Sequence, residues 1–171
     1  MLHPVPNPQG RAAGSPQATV AIVGAGIAGL SCARMMSAAG WAVTVFDKSR
    51  GPSGRLSTRR RGQGQWDHGA PYFEARGAGF RRQCAEWHAQ GLVGSWGAEA
   101  GLERWTGIPW MSALGRHLVD GLTLCTEVRV ASLARSEDGW MLAATDGTHH
   151  GRFDAVVLLR PDGTGNIGGG A

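Results

Sequence analysis

A strand, a glycine turn, a helix, a second strand and an acid follow one another between Thr19 and Asp47, and that order leaves few folds open. The β-prone run Thr19-Val20-Ala21-Ile22-Val23 enters Gly24-Ala25-Gly26-Ile27-Ala28-Gly29, a G-x-G-x-x-G turn. In a chain with 28 glycines the turn alone says little, but a strand before it and a helix after it supply the context it needs. The first glycine permits the tight turn, the second lets backbone approach a pyrophosphate, and the third lets helix and strand pack closely. A helix beginning near Ala28 aims its unpaired amides and positive dipole end at the phosphates. Asp47 closes the strand Ala42-Val43-Thr44-Val45-Phe46 and lies 18 residues after Gly29. That is close to the spacing of about 20 expected of an acid that takes a ribose hydroxyl pair. A carboxylate there repels a 2′-phosphate, which disfavours NADP and leaves FAD or NAD.

The next segment favours FAD. Arg50-Gly51-Pro52-Ser53-Gly54-Arg55 is a second glycine turn, and it carries a cation immediately after the ribose acid. A simple NAD domain has no need of such a turn. A flavin protein does, because a guanidinium with bidentate geometry can clamp the pyrophosphate from the side opposite the helix.

Gly24 to Gly29, Asp47 and Gly54-Arg55 together resemble the flavoprotein branch that includes amine oxidases, phytoene desaturases and protoporphyrinogen oxidase. Leu56-Ser57-Thr58-Arg59-Arg60, Asp67-His68-Gly69-Ala70-Pro71-Tyr72-Phe73 and Trp105-Thr106-Gly107-Ile108-Pro109-Trp110-Met111-Ser112-Ala113-Leu114 are closer to the renalase-like FAD-dependent oxidoreductases, as is the segment ending Phe153-Asp154-Ala155-Val156-Val157-Leu158. The resemblance runs from about Thr19 to Leu159, roughly the first half of such a protein. It implies noncovalent FAD held by Gly24, Gly26, Ile27, Ala28, Gly29, Asp47, Lys48, Gly54 and Arg55. It places Gly69, Ala70, Pro71 and Tyr72 beside the flavin, and gives Val130 the position whose backbone reads the adenine. The implied reaction is hydride transfer from an amine or dihydronicotinamide-type substrate to flavin, with oxygen as electron acceptor.

Three positions depart from the family pattern. Ser53 stands where a glycine usually precedes Gly54-Arg55, and its hydroxyl can still donate a hydrogen bond. Pro71 replaces a glutamine and removes one backbone donor beside the flavin. After Leu158 the chain continues as Leu159-Arg160-Pro161-Asp162-Gly163 and ends in a glycine-rich stretch with no apolar period, which reads as a linker or an out-of-frame extension. The expected architecture is therefore α/β: a Rossmann-like FAD-binding domain, βαβ with an added β-meander, truncated, plus part of a substrate-domain insertion. Residues 1–18 read as a disordered tail, 19–76 and 120–159 as the FAD-binding domain, 77–119 as the insertion and 160–171 as the Gly-rich tail. Two alternatives remain beside the flavin enzyme: an NAD-binding Rossmann dehydrogenase, and a non-catalytic remnant that binds FAD weakly or not at all.

At 171 residues, with 42% hydrophobic residues, the chain has enough apolar material for one domain core. No segment reaches the roughly 20 apolar residues of a membrane span, and no secretory signal leads the chain. Cys32, Cys84 and Cys125 are odd in number and widely spaced, which suggests neither a metal site nor a disulfide framework and fits a reducing cytoplasm. The net charge of +4 raises nucleic acid as a partner. The dense arginines, Arg50, Arg55 and Arg59 to Arg61, sit where a pyrophosphate is expected and have no aromatic residue among them for base stacking. The expected partner is a small-molecule substrate, including an NAD(P)H-type one, with neither nucleic acid nor membrane.

Along the remaining chain, Gly77 to Gln90 predicts a helix with Phe80, Cys84 and Trp87 on one face, and Gly91 to Trp96 and Glu103 to Thr106 predict strands. Ser112 reads as the cap of a helix reaching Leu118. From Leu122 a β-meander is expected, with turns at Glu137-Asp138-Gly139 and Asp146-Gly147, returning to the central sheet at Ala155 to Leu159. In the first helix, Leu30, Ala33, Met36 and Ala39 are expected to face the sheet. No catalytic residue emerges. His68 is better read as orienting a turn than as a general base, and His149-His150 as a solvated hairpin loop. Trp105 and Trp110, flanking Gly107-Ile108-Pro109, are the best candidates for lining a substrate pocket.

Overall fold

The structure, a computed structural model, describes residues 16–61, 64–67, 69–99 and 101–159. The chain divides into two compact units, one made of the residues up to Gly51 and from Val119 on, the other of Pro52–Leu118. The division falls within the span 19–76 expected to form the nucleotide-binding domain. Of the tail expected over residues 1–18, residues 1–15 lie outside the described residues, as do the tail of residues 160–171 and the turn-orienting role of His68; Ala18, by contrast, is buried and accepts from Ala42 N–H at 2.8 Å.

The first unit is built on a four-stranded parallel sheet. Its strands are β1 (Thr19–Val23), β2 (Ala42–Phe46), β8 (Thr123–Cys125) and β12 (Ala155–Leu158), in the order β12-β1-β2-β8. β1 is central, and Val20, Ala21 and Ile22 are wholly buried, as an apolar strand covered on both faces must be. The crossover from β1 to β2 is α1 (Ile27–Ala38), which buries Gly29, Leu30 and Ala33. Met36 is only half-buried, and Ala39 lies past the end of the helix as its C-cap. The chain leaves at Gly40, whose φ of 89° suits glycine far better than a residue with a Cβ.

A three-stranded antiparallel sheet completes this unit: β9 (Val130–Ser136), β10 (Gly139–Ala144) and β11 (His149–Phe153), with β10 in the middle. Leu142 and Phe153 pack with Ala21 and Phe46 in one buried cluster, and the Phe46 and Phe153 rings meet edge to face at 5.8 Å. Burying each large apolar side chain stabilises the fold by roughly 1.5–3 kcal/mol. Two expectations change here. Leu122 to Cys125 does not open the meander: β8 joins the parallel sheet beside β2, with Val45 opposite Leu124. His149-His150 is not a loop but the start of β11, and the His150 ring lies 5.1 Å from Phe46. The strand that returns to the central sheet is β12, in register with β1 from Val20↔Ala155 to Val23↔Leu158. Its approach is fixed by Asp154, whose Oδ2 accepts from Thr19 N–H (2.8 Å) and Thr19 Oγ1 (3.0 Å).

The second unit holds a hairpin, β3 (Thr58–Arg61) with β4 (Gly64–Asp67), and a three-stranded sheet of β5 (Phe73–Glu74), β6 (Val93–Glu99) and β7 (Leu102–Gly107) in the order β5-β7-β6. The helix α2 (Ala78–Ala89) packs on the second sheet through Cys84 and Trp87, both buried, while Phe80 stacks between Phe73 and Trp87 at about 6 Å. The expected helical stripe is therefore a core stripe. The unit closes with α3 (Met111–Val119).

Candidate nucleotide site

In the first unit, the three glycines of the turn after β1 each meet a different physical requirement. Gly24 has φ 114°, and a Cβ on it would lie 2.9 Å from the Leu159 carbonyl oxygen, so the position excludes any larger residue. A Cβ on Gly29 would overlap the Gly24 carbonyl oxygen, which is how closely α1 sits on the turn. Gly26 is different: a Cβ there would meet nothing within 4 Å. The fold does not need a glycine at that position, and the open space beside its backbone is what a ligand's pyrophosphate requires. Gly26 is also the N-cap of α1 and gives the helix no side-chain cap, while the first turn, beginning Ile27-Ala28, contains no acid. The positive end of the helix is left for an outside anion.

Asp47 follows β2 directly, and its carboxylate reaches across to the turn. Oδ2 accepts from Ala25 N–H at 2.6 Å and Oδ1 from Ser49 N–H at 2.7 Å. Each oxygen keeps a further lone pair, enough for a pair of ribose hydroxyls. Lys48 beside it is exposed. Backbone holds Asp47 in place from the neighbouring strand, since its N–H donates to Cys125 O (2.9 Å) and its carbonyl accepts from Val128 N–H (3.0 Å). Val130, two residues on, begins β9 opposite Ala144. Gly24, Asp47 and the end of β8 thus share the carboxyl edge of the parallel sheet, where nucleotides bind in open α/β sheets. A shallow groove of about 290 Å³, lined by Thr19, Trp41, Ala42, Thr44, Thr123 and Phe153, lies at the opposite, amino edge and is a poor candidate for the same ligand.

In the second unit the arginine turn is organised by side chains. Ser53 is wholly buried with φ 105°, a left-handed conformation that favours glycine. Its hydroxyl donates to Ser112 O at 3.3 Å, and its atoms fill the space where a Cβ on Gly115 would stand. Gly54 to Leu56 then form one 3₁₀ turn, which leaves Arg55 exposed. The Gly69-Ala70 turn docks directly on it: Ala70 N–H donates to Arg55 O at 2.8 Å, and a Cβ on Gly69 would overlap the same oxygen. With Ala70 N–H so used and Pro71 lacking one, two consecutive backbone donors of this turn are withdrawn from any ligand. The Tyr72 ring carries the Arg104 guanidinium 4.5 Å from its centroid. Glu74, paired with Arg76 and Arg104, is held below the usual carboxylate range, chiefly by the Arg76 hydrogen bond.

Asp67 and Thr58, to which the sequence assigned no separate role, prove to be the junction of this unit. Thr58 Oγ1 donates to Asp67 Oδ1 at 2.6 Å and accepts from Ser112 N–H at 3.2 Å. Met111 N–H points at the same carboxylate, 3.2 Å from Oδ1 and 3.4 Å from Oδ2. Capping of α3 therefore comes from two strands distant in sequence. Ser112 is the second residue of the helix rather than its cap. No local signal marks such a partner, because both contacts span more than 40 residues.

Trp105 lies opposite Phe73, half-buried and 5.5 Å from the His88 ring of α2, with its Nε1 buried and unpaired. Trp110 is half-buried and Ile108 exposed. Burial pushes the Cys84 thiol up to about 11, with the Glu103 charge adding, and raises that of Cys32 as well, so neither is a ready nucleophile. Among the described residues no cluster of His, Cys, Asp and Glu could hold a metal, and no helix is long and apolar enough to cross a membrane.

Residues 22–87 match the NAD(P)-binding Rossmann-like domain family. The fold is Rossmann-like. Among solved structures the chain is similar to the tetracycline destructase Tet(55), with TM-score 0.56 and 15% identity over 83% of this chain and 38% of that one. It is similar also to the Diels-Alderase PyrE3 of the pyrroindomycin pathway, with TM-score 0.56 and 16% identity over 82% of this chain and 32% of that one. At such identities the likeness is one of fold, and the chain spans about a third of the length of those proteins.

Proposed function

We propose that this chain is the dinucleotide-binding portion of an FAD-dependent oxidoreductase of renalase-like or amine-oxidase-like type. The observation that carries the dinucleotide is Gly26. A glycine with no steric need for being one, at an uncapped helix start and beside the turn to which Asp47 is bonded, is explained by a phosphate lying against it. Gly24 to Gly29 would hold the adenylate end, Asp47 the ribose and the Val130 backbone the adenine, with Lys48 contributing charge. Arg55 would meet the pyrophosphate, and Gly69, Ala70, Pro71 and Tyr72 the flavin. FAD, when bound, supplies the hydride-accepting ring that no side chain of this protein provides. The chain's own part is to bind, orient and neutralise. The substrate class we assign is an amine or dihydronicotinamide, with oxygen as acceptor, in the cytoplasm.

The family match, described as NAD(P)-binding, favours a second reading in which the ligand is NAD. Purified protein incubated with FAD and desalted should retain the flavin absorption bands with quenched fluorescence. A colourless protein stabilised against heat by NAD would support the second reading and overturn the first. Retained flavin that no amine or dihydronicotinamide reduces would leave a binding protein without turnover.

A further inference from the structure

Asp67 has no task in the cofactor reading above, yet the turn assigned to the flavin, the turn carrying Arg55 and the loop before α3 all converge on its surroundings. We propose that Asp67, acting with Thr58, is the positioning residue that sets the flavin-side surface of the second unit.

Thr58 lies three residues beyond Arg55 and spends its hydroxyl twice, donating to Asp67 and accepting from Ser112 N–H. Asp67 lies two residues before Gly69, whose turn sits on the Arg55 carbonyl. The same carboxylate takes Met111 N–H, which fixes the end of the Ile108-Pro109-Trp110 loop. Ser53 adds a fourth tie through Ser112 O. The arginine turn, the Gly69-to-Tyr72 turn and the loop before α3 are thereby held to one carboxylate–hydroxyl pair. An acid serves better than an amide here. Among the described residues the groups bonded to it, Thr58 O–H and Met111 N–H, are donors, a carboxylate is acceptor-only, and hydrogen bonds to a charged partner are about twice as strong as neutral ones. An asparagine must present an NH₂ where one carboxylate oxygen now accepts.

This inference rests on FAD being the ligand, so the experiment reads FAD and AMP separately on the full chain. AMP reports the Gly24–Gly29 turn and Asp47 alone, whereas FAD also needs the second unit's surface. For Asp67→Asn the expected result is FAD affinity lower by tenfold or more, from titration of flavin fluorescence, with AMP affinity by calorimetry unchanged within twofold. Thr58→Val should show the same pattern more weakly, and Thr58→Ser, which restores the hydroxyl, should recover the parent value. These two also serve if Asp67→Asn does not fold. FAD affinity unchanged in both Asp67→Asn and Thr58→Val overturns the inference and leaves the functional reading standing. A parallel fall in AMP affinity also overturns it, by showing a general loss of structure. A parent protein that takes up no FAD refutes the functional reading and this inference with it.

Discussion

The two glycine turns of this protein are built in opposite ways. The turn after β1 is held chiefly by close backbone contacts, Gly29 against the Gly24 carbonyl and Gly24 N–H on Phe46 O at 2.7 Å, with the Asp47 carboxylate on Ala25 N–H as its one distant side chain among those described. The turn at Ser53 to Arg55 is held by side chains from far along the chain, with Ser53 reaching Ser112 and Thr58 reaching both Asp67 and Ser112. The first depends on the absence of Cβ atoms, the second on particular hydroxyl and carboxyl groups. A substitution in the first turn should therefore act through steric overlap, and one in the second through unsatisfied donors and acceptors.

The largest expected effects test the steric half of that contrast. Gly29→Ala should destabilise the protein by about 3 kcal/mol or more, because the new methyl meets a backbone carbonyl that cannot move away. Gly26→Ala, three residues earlier, should leave the melting temperature within a few degrees and yet abolish most dinucleotide binding. A large loss of stability in Gly26→Ala would break the comparison. Next in size is Asp47→Asn, expected to weaken FAD binding by roughly 1.5–3 kcal/mol through loss of a charged hydrogen bond. Its amide oxygen can still accept from Ala25 N–H, but its NH₂ then faces the exposed Ser49 N–H, so the free protein should lose only about 1 kcal/mol of stability in unfolding curves; unchanged FAD affinity would remove the ribose assignment.

A pH experiment sharpens the description of the second unit. The Cys84 thiol is raised to about 11, above its ordinary value of 9.0. Its contribution to stability is thus complete below pH 9 and lost as pH rises towards 11, by on the order of 2 kcal/mol. Urea midpoints at pH 8 and pH 10.5 should show that loss, and Cys84→Ala should show less of it. The smallest effect is expected at Ser53→Gly. Relief of the left-handed backbone stabilises by about 1 kcal/mol, while the lost Ser112 hydrogen bond and vacated space cost about as much. A net change within about 1 kcal/mol by calorimetry is expected; a larger loss would show that the hydroxyl outweighs the strain.

Much of the first unit was legible in the sequence because its signals are short-range. The strand–turn–helix order, the helix stop at Gly40 and the acid after β2 each depend on residues a few positions apart or on one strand length. One difference there concerns pairing and the other element type. The alternation of Leu122 to Cys125 marks a strand equally well in a meander or beside β2, and only the sheet order decides. His149-His150 was misread because polarity suggested a loop, whereas an antiparallel strand with one exposed face accepts histidines readily. In the second unit the elements are again visible, but Ser112 has another task than the cap expected of it. A serine at a helix start looks like a cap until a carboxylate from another strand takes the position.

By itself the sequence determined the parallel α/β core and the nucleotide turn, because glycine spacing and apolar strand runs impose their geometry within a few residues of backbone. Only the tertiary structure decided that Asp67 and Thr58 take the first N–H groups of α3. Hydrogen-bond donors at a helix start accept any partner of suitable chemistry, and the fold alone determines which distant residue arrives there.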